Sequence, residues 1–135
     1  YEIKHWDWEK QTATRDLMTK LNRIRRENPA LQTTWHIAFC KCDNPQLLCY
    51  VKTDQEKKNR LIVAVNLDPF HAQSGWAEMP LEFLGIEQGQ DFMVRDLLTD
   101  NRYNWVAGWN YIELHPEVIP AHIFLIEPVA AAKTP

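Results

Sequence analysis

Asp68, His71 and Ser74 stand three residues apart in NLDPFHAQSGW (66–76), and Ser74 is the only serine of the chain. A carboxylate, an imidazole and a hydroxyl are the parts of a nucleophilic triad. A triad, however, draws its members from separate elements, strains the serine on a tight turn and faces it with an oxyanion hole, and nothing here resembles G-x-S-x-G. The stretch is open to three readings at this point: a reactive site, a sugar-binding loop, or a connection between strands.

Three cysteines offer a second kind of chemistry. Cys40 and Cys42 fall on one face if 35–42 is a strand, and His36 and Cys49 can join them as metal ligands. The spacing lacks a C-x-x-C pair, so buried reduced thiols in a cytoplasmic protein are the expected reading. The five histidines, His5, His36, His71, His115 and His122, form no H-E-x-x-H or similar pattern. His122, between Ala121 and Ile123, reads as a half-buried residue with its hydrogen bonds satisfied. Asp96, Glu113 and Glu117 are acids that a glycosidase reaction can use, but two unspecified acids occur in any domain. With four glycines there is no Walker or Rossmann phosphate loop, and no cofactor is expected.

The aromatic residues are the strongest candidates for binding. In RYNWVAGWNYIEL a three-residue loop, Val106 to Gly108, with Gly108 left-handed, avoids the positive φ that a two-residue turn would force on Ala107. That register pairs Trp105 with Trp109 and Tyr103 with Tyr111, placing four rings on one face. Such a face packs into a core, docks on a neighbouring domain or stacks on sugar rings; packing or docking is the favoured expectation.

These residues must be held by elements, and the first of them is a helix. In TRDLMTKLNRIRRENPAL the residues Leu17, Met18, Leu21 and Ile24 share a face, Arg25 and Arg26 suit the last turn, and Pro29 disfavours helix at Asn28. A helix from about Thr14 to Glu27, capped by Thr12 or Thr14, is predicted. The period then changes to short β-branched and aromatic runs: TTWHIAFC, QLLCYVKT, RLIVAVNL, DFMVRDLL, RYNWV, WNYIEL and AHIFLIE, separated by turn residues. About seven strands at this spacing predict a mainly β fold, an antiparallel β-sandwich preceded by one amphipathic α-helix.

Length and charge exclude several classes. At 135 residues, one domain with a real core is expected. No run approaches a membrane helix, and a net charge of −3 gives nucleic acid no footprint. The start at Tyr1, without Met or a leader, is read as a cut from something longer.

Several segments together resemble a known family. LNRIRRENPAL, QLLCYVK, LIVAVNLDP, DLLTDNRYNW and PAHIF are similar to the end of the catalytic barrel and the C-terminal domain of α-amylase-type glycoside hydrolases of family 13. Within that superfamily NLDPFHAQSGW, YEIKHWDW and ELHPEVIPAHIF resemble the α-1,4-glucan:maltose-1-phosphate maltosyltransferases, from Tyr1 to about Glu127.

The resemblance implies a retaining enzyme that moves maltosyl units from maltose 1-phosphate to an α-1,4-glucan, whose catalytic residues all lie upstream. It implies that 1–31 is the barrel's last helical segment, 32–127 the C-terminal sandwich and 128–135 a disordered tail. The implied partners are the upstream barrel and, through the intact enzyme, α-glucan and maltose 1-phosphate, with a homodimeric parent as an option. Tyr1 corresponds to a tyrosine near the donor sugar in the intact enzyme. Tyr103, Trp105, Trp109 and Tyr111 are the substrate-binding residues of a rival reading, a glucan-binding module; an amylase or trehalose synthase of the same superfamily is another. Where the family often has Gly after DLLT, this chain has Asp100-Asn101, residues that tolerate left-handed geometry. Under the family reading NLDPFHAQSGW is a strand end and long connection: Pro69 ends the pairing, His71, Gln73 and Ser74 tie loop backbone, and Trp76 fills a gap.

Overall fold

The computed structural model describes residues 8–116 and 121–127, with side chains from Arg15 onward. The expectations for Tyr1, Glu117 and the 128–135 tail lie outside the described residues, whereas Thr12 and Thr14 fall inside the first helix, so neither stands at its start as a cap.

Helix α1 (Trp8–Glu27) comes first and begins earlier than Thr14, where the apolar stripe had suggested. It ends as expected before Pro29, which starts a short 3-10 turn, Pro29–Leu31. The strands follow as β1 (Ile37–Phe39), β2 (Lys41–Cys42), β3 (Leu47–Thr53), β4 (Arg60–Asn66) and β5 (Gln73–Glu78). A one-turn helix α2 (Leu81–Leu84) precedes β6 (Asp91–Asp96), β7 (Arg102–Val106), β8 (Trp109–Leu114) and β9 (Ala121–Ile126).

The strands form two antiparallel sheets, one of six strands in the order β1-β3-β4-β9-β6-β7 and one of three in the order β2-β5-β8. The two-layer sandwich is thus as expected, with more strands than expected. Cys40 separates β1 from β2 and lets the chain step from the large sheet to the small one. The strand β5 arises inside the stretch read as a connection.

Alternation sets the core. In β3 the residues Leu47, Cys49 and Val51 point inward, and register carries the same parity to Ile62 and Ala64 on β4, Phe124 and Ile126 on β9, Val94 and Phe92 on β6 and Trp105 on β7. From the small sheet Ala77, Ile112 and Leu114 meet them. Each of the large side chains buried here stabilises by roughly 1.5–3 kcal/mol through removal from water.

The expected hairpin around Val106–Gly108 is not one. β7 pairs only with β6, whereas β8 pairs with β5, so these three residues carry the chain from one sheet to the other. Gly108 does take a positive φ, 134°. Asn110, turned inward, holds the crossing: its side-chain amide accepts from the Val106 N–H and donates to the Val106 carbonyl. Local turn chemistry allowed a hairpin, but packing of Trp105 against Phe92 and Phe124 directs β7 to the large sheet. At the preceding turn, between β6 and β7, Asp100 is left-handed, φ 67°, as expected for the Asp-Asn pair.

The helix divides its stripe between two uses. Ile24 is buried against the outer face of the large sheet, where Leu61 and Val63 are also buried, and Lys20 donates to the Leu98 carbonyl at 2.6 Å. Asn28 and Asn59 join the helix end to the start of β4 through an amide pair at 2.9 Å. Leu17, Met18 and Leu21 remain exposed.

Candidate functional site

The triad candidates form a loop brace. The Asp68 carboxylate accepts from the N–H groups of Phe70 and His71, from His71 Nδ1 at 3.1 Å and from Gln73 Nε2 at 2.9 Å. The Phe70 N–H leads a set of donors that holds this carboxyl below its usual range. Asn66 completes the brace by donating to the carbonyls of His71 and Leu114. The Ser74 carbonyl accepts from Asn44. The side chains of His71 and Gln73 thus bond the Asp68 carboxylate and not loop backbone, which Asp68 and Asn66 hold instead, and Trp76 does not fill a gap: it is 49% exposed, on β5.

His122 and Asp96 form a second fixed pair. His122 Nδ1 lies 2.7 Å from Asp96, whose side chain is fully buried, and the imidazole stacks on Phe124. Burial opposes ionisation of Asp96, but the His122 bond, the Leu98 N–H and Thr99 outweigh it and hold the carboxyl below its usual range. The pair ties β6 to β9 and caps the 97–100 turn, which agrees with a satisfied half-buried histidine. Glu113 turns its side chain to the exposed His115, while its backbone carbonyl lies 3.4 Å from His122 Nε2.

The three thiols gather at the edge of the core. Hydrogen bonding with Cys40 and burial push the Cys49 thiol far above its usual range, and burial raises that of Cys42. All three cysteines are free, and no group of three or more His, Cys, Asp or Glu side chains suited to a metal ion occurs among the described residues. No helix among them is long and apolar enough to cross a membrane.

The four candidate aromatics separate into two pairs. Trp105 is 8% exposed inside the sandwich, against Phe124 at 4.8 Å, and Tyr103 packs on the same phenylalanine at 6.0 Å while remaining 41% exposed at the sheet edge. Trp109 and Tyr111 point outward from the small sheet, 44% and 50% exposed. Trp76 joins them: it lies directly across from Tyr111, with ring centroids 5.6 Å apart at 63°. The expected single face of four rings is corrected to an inner pair and an outer trio. Sequence reasoning missed Trp76 because its strand was not recognised. The alternation Ser74, Trp76, Glu78 with Gly75 and Ala77 between was the available signal.

The outer faces of the sandwich differ. On the large sheet Ile37 and Phe39 are exposed beside Tyr50, on the side that carries α1. On the small sheet rows of Ser74 with Glu113, Trp76 with Tyr111 and Glu78 with Trp109 lie across the strands. An apolar side fits contact with protein, and an alternating aromatic and polar one fits a hydroxyl-rich ligand.

Solved amylases contain a similar two-sheet antiparallel fold. An Anoxybacillus α-amylase superposes with a TM-score of 0.58 at 22% identity, covering 84% of this chain and 22% of that one. A maltogenic α-amylase from Thermotoga neapolitana gives 0.60 at 14% identity, covering 82% and 24%. The family described as "GLGE, C-terminal" matches residues 39–126, and the chain belongs to it. The α-1,4-glucan:maltose-1-phosphate maltosyltransferase of Methylacidiphilum infernorum is 39% identical over 92% of this chain and 18% of its own length. That of Rhodospirillum rubrum is 40% identical over 95% and 19%. The chain spans about a fifth of the length of the curated relatives it matches.

Proposed function

We propose that this chain is the non-catalytic C-terminal domain of a maltosyltransferase of family 13 that moves maltosyl units from maltose 1-phosphate to α-1,4-glucan in cytoplasmic glucan synthesis. Its work is to pack against the upstream catalytic barrel and stabilise it. α1 is the last helical segment of that barrel, and the sandwich begins after it. The parent's catalytic acids and its phosphate site belong upstream, and Tyr1 lies near the donor sugar only in the intact enzyme.

One observation carries the reading. α1 buries Ile24 against the large sheet but leaves Leu17, Met18 and Leu21 in water, an unfinished apolar stripe on a helix already anchored at its other end. An apolar stripe of this kind needs a partner. Ile37 and Phe39 extend the apolar surface on the same side of the sandwich.

The test is a transfer assay from maltose 1-phosphate to maltohexaose. The 135-residue chain alone should transfer nothing. The parent enzyme carrying Leu17→Asp with Leu21→Asp should lose most of its activity and melt earlier. Transfer by the chain alone, or a parent indifferent to the two aspartates, would overturn the proposal.

A further inference from the structure

We infer that the outer face of the small sheet is a binding site for an α-linked glucan chain, built by Trp76, Trp109 and Tyr111 with the carboxylates of Glu78 and Glu113. The ligand class rests on the proposed function above; the site itself rests on geometry.

Alternation places the five side chains together. β5 turns Trp76 and Glu78 outward and β8 turns Trp109, Tyr111 and Glu113 outward, with Trp76 opposite Tyr111 and Glu78 opposite Trp109. Two residues along a strand span about 7 Å, so Trp109 and Tyr111 offer successive rings along one line. Each ring of the trio is about half exposed. Glu78 makes no ion pair among the described residues, and Glu113 pairs only with the exposed His115. The face extends into a groove of ≈ 690 Å³ lined by Glu78, Trp109, Pro80, Phe83 and Gln88. That volume is within the usual range for small-ligand sites.

The chemistry matches a sugar chain. The C–H faces of pyranose rings gain dispersion contact on indole and phenol rings, and sugar hydroxyls donate to free carboxylates in charge-assisted hydrogen bonds. The rings of Trp76 and Tyr111 are inclined at 63°, forming a corner and not a flat shelf. A corner suits the curved path of an α-linked chain; a flat β-linked ribbon needs coplanar rings.

Protein partners fit this face less well. The upstream chain arrives through α1 on the opposite side of the sandwich, where the exposed Ile37 and Phe39 also are. A second copy docked face to face would bury Glu78 and Glu113 of both subunits, and burying unpaired like charges is costly.

The indole N–H signals of the 135-residue chain give the test. Maltoheptaose should shift those of Trp76 and Trp109 saturably and leave buried Trp105 in place. Trp76→Ala and Trp109→Ala should each weaken binding by about tenfold, the loss of one stacking ring. Both residues are half exposed, so unchanged melting curves will show that the variants fold. Cellohexaose at the same concentration should leave all three signals unmoved.

No saturable shift, or affinity that survives both alanine variants, would overturn the site, and an equal response to cellohexaose would overturn its preference for α-linked chains. Self-association lost in Trp109→Ala would assign the face to a second copy instead. The packing proposal concerns the opposite face and has its own transfer assay, so failure here leaves it standing.

Discussion

The two outer faces of the sandwich obey the same strand alternation yet present opposite chemistry. The large sheet turns Leu61 and Val63 outward, where both are buried, on the side that carries α1, with Ile37 and Phe39 exposed on the same side. The small sheet turns out three aromatic rings among serine and glutamate, with no helix over them among the described residues. Position in the sandwich does not decide what an outward residue is for. What decides it is whether the outward row is aliphatic and continuous, which calls for protein cover, or aromatic and interrupted by hydrogen-bonding groups, which tolerates water and receives sugars.

The largest contrast should come from truncating one outward residue on each face. Leu61→Ala removes a fully buried side chain from the outer face of the large sheet and should cost about 2–5 kcal/mol, whereas Trp109→Ala should cost under about 1 kcal/mol. Urea denaturation of both variants checks this, and equal costs would erase the distinction between a covered and an open face.

Next in size is Asp96→Asn. It removes a charged acceptor from His122 and the Leu98 N–H and should cost about 1.5–3 kcal/mol at neutral pH. The Asp96 carboxyl ionises below its usual range in the fold. Its contribution is therefore full above the unfolded value of about 3.9 and is lost as pH falls through the lower folded value. Melting temperatures of the two proteins should converge as the solution is acidified below about pH 4, and a gap that widens instead would contradict the assignment.

A smaller effect sharpens the aromatic face. A Cβ on Gly75 would lie 2.5 Å from Asp43 Oδ1, the acceptor of the Trp76 N–H. Gly75→Ala should cost about 1–3 kcal/mol, at the lower end if the Asp43 carboxylate moves aside, and should displace the Trp76 indole signal. Smallest is Tyr103→Ala. It should weaken glucan binding less than twofold, because its ring lies against Phe124 on the inner side of the large sheet and not with the outer trio.

Much of the fold was legible because most strands carry bulky inward residues. LLCYVKT and RLIVAVN announce themselves, and PAHIF places His122 where half burial was expected. QSGWAE did not, since its inward residues are Gly75 and Ala77, whose small side chains register as turn material although Gly75 faces Asp43 and Asn44 at close range. The outer site was hidden with that strand. The crossing at Val106–Gly108 was illegible for another reason: its turn residues suit a hairpin equally well, and the distant contacts of Trp105 with Phe92 and Phe124 decide against it. The shared face of the helix was legible, but only tertiary contact shows that Ile24 is buried while Leu17 and Leu21 remain exposed.

Oxidative footprinting of the 135-residue chain and of its full-length parent, read by mass spectrometry at Met18, Trp76 and Trp109, tests the division of the two faces directly. All three residues are exposed in the chain alone, and a thioether or indole oxidises according to its access to solvent. The account predicts that Met18 becomes protected in the parent while Trp76 and Trp109 oxidise as before. Protection of the two tryptophans with Met18 left open would contradict it, because the upstream domain would then sit on the aromatic face.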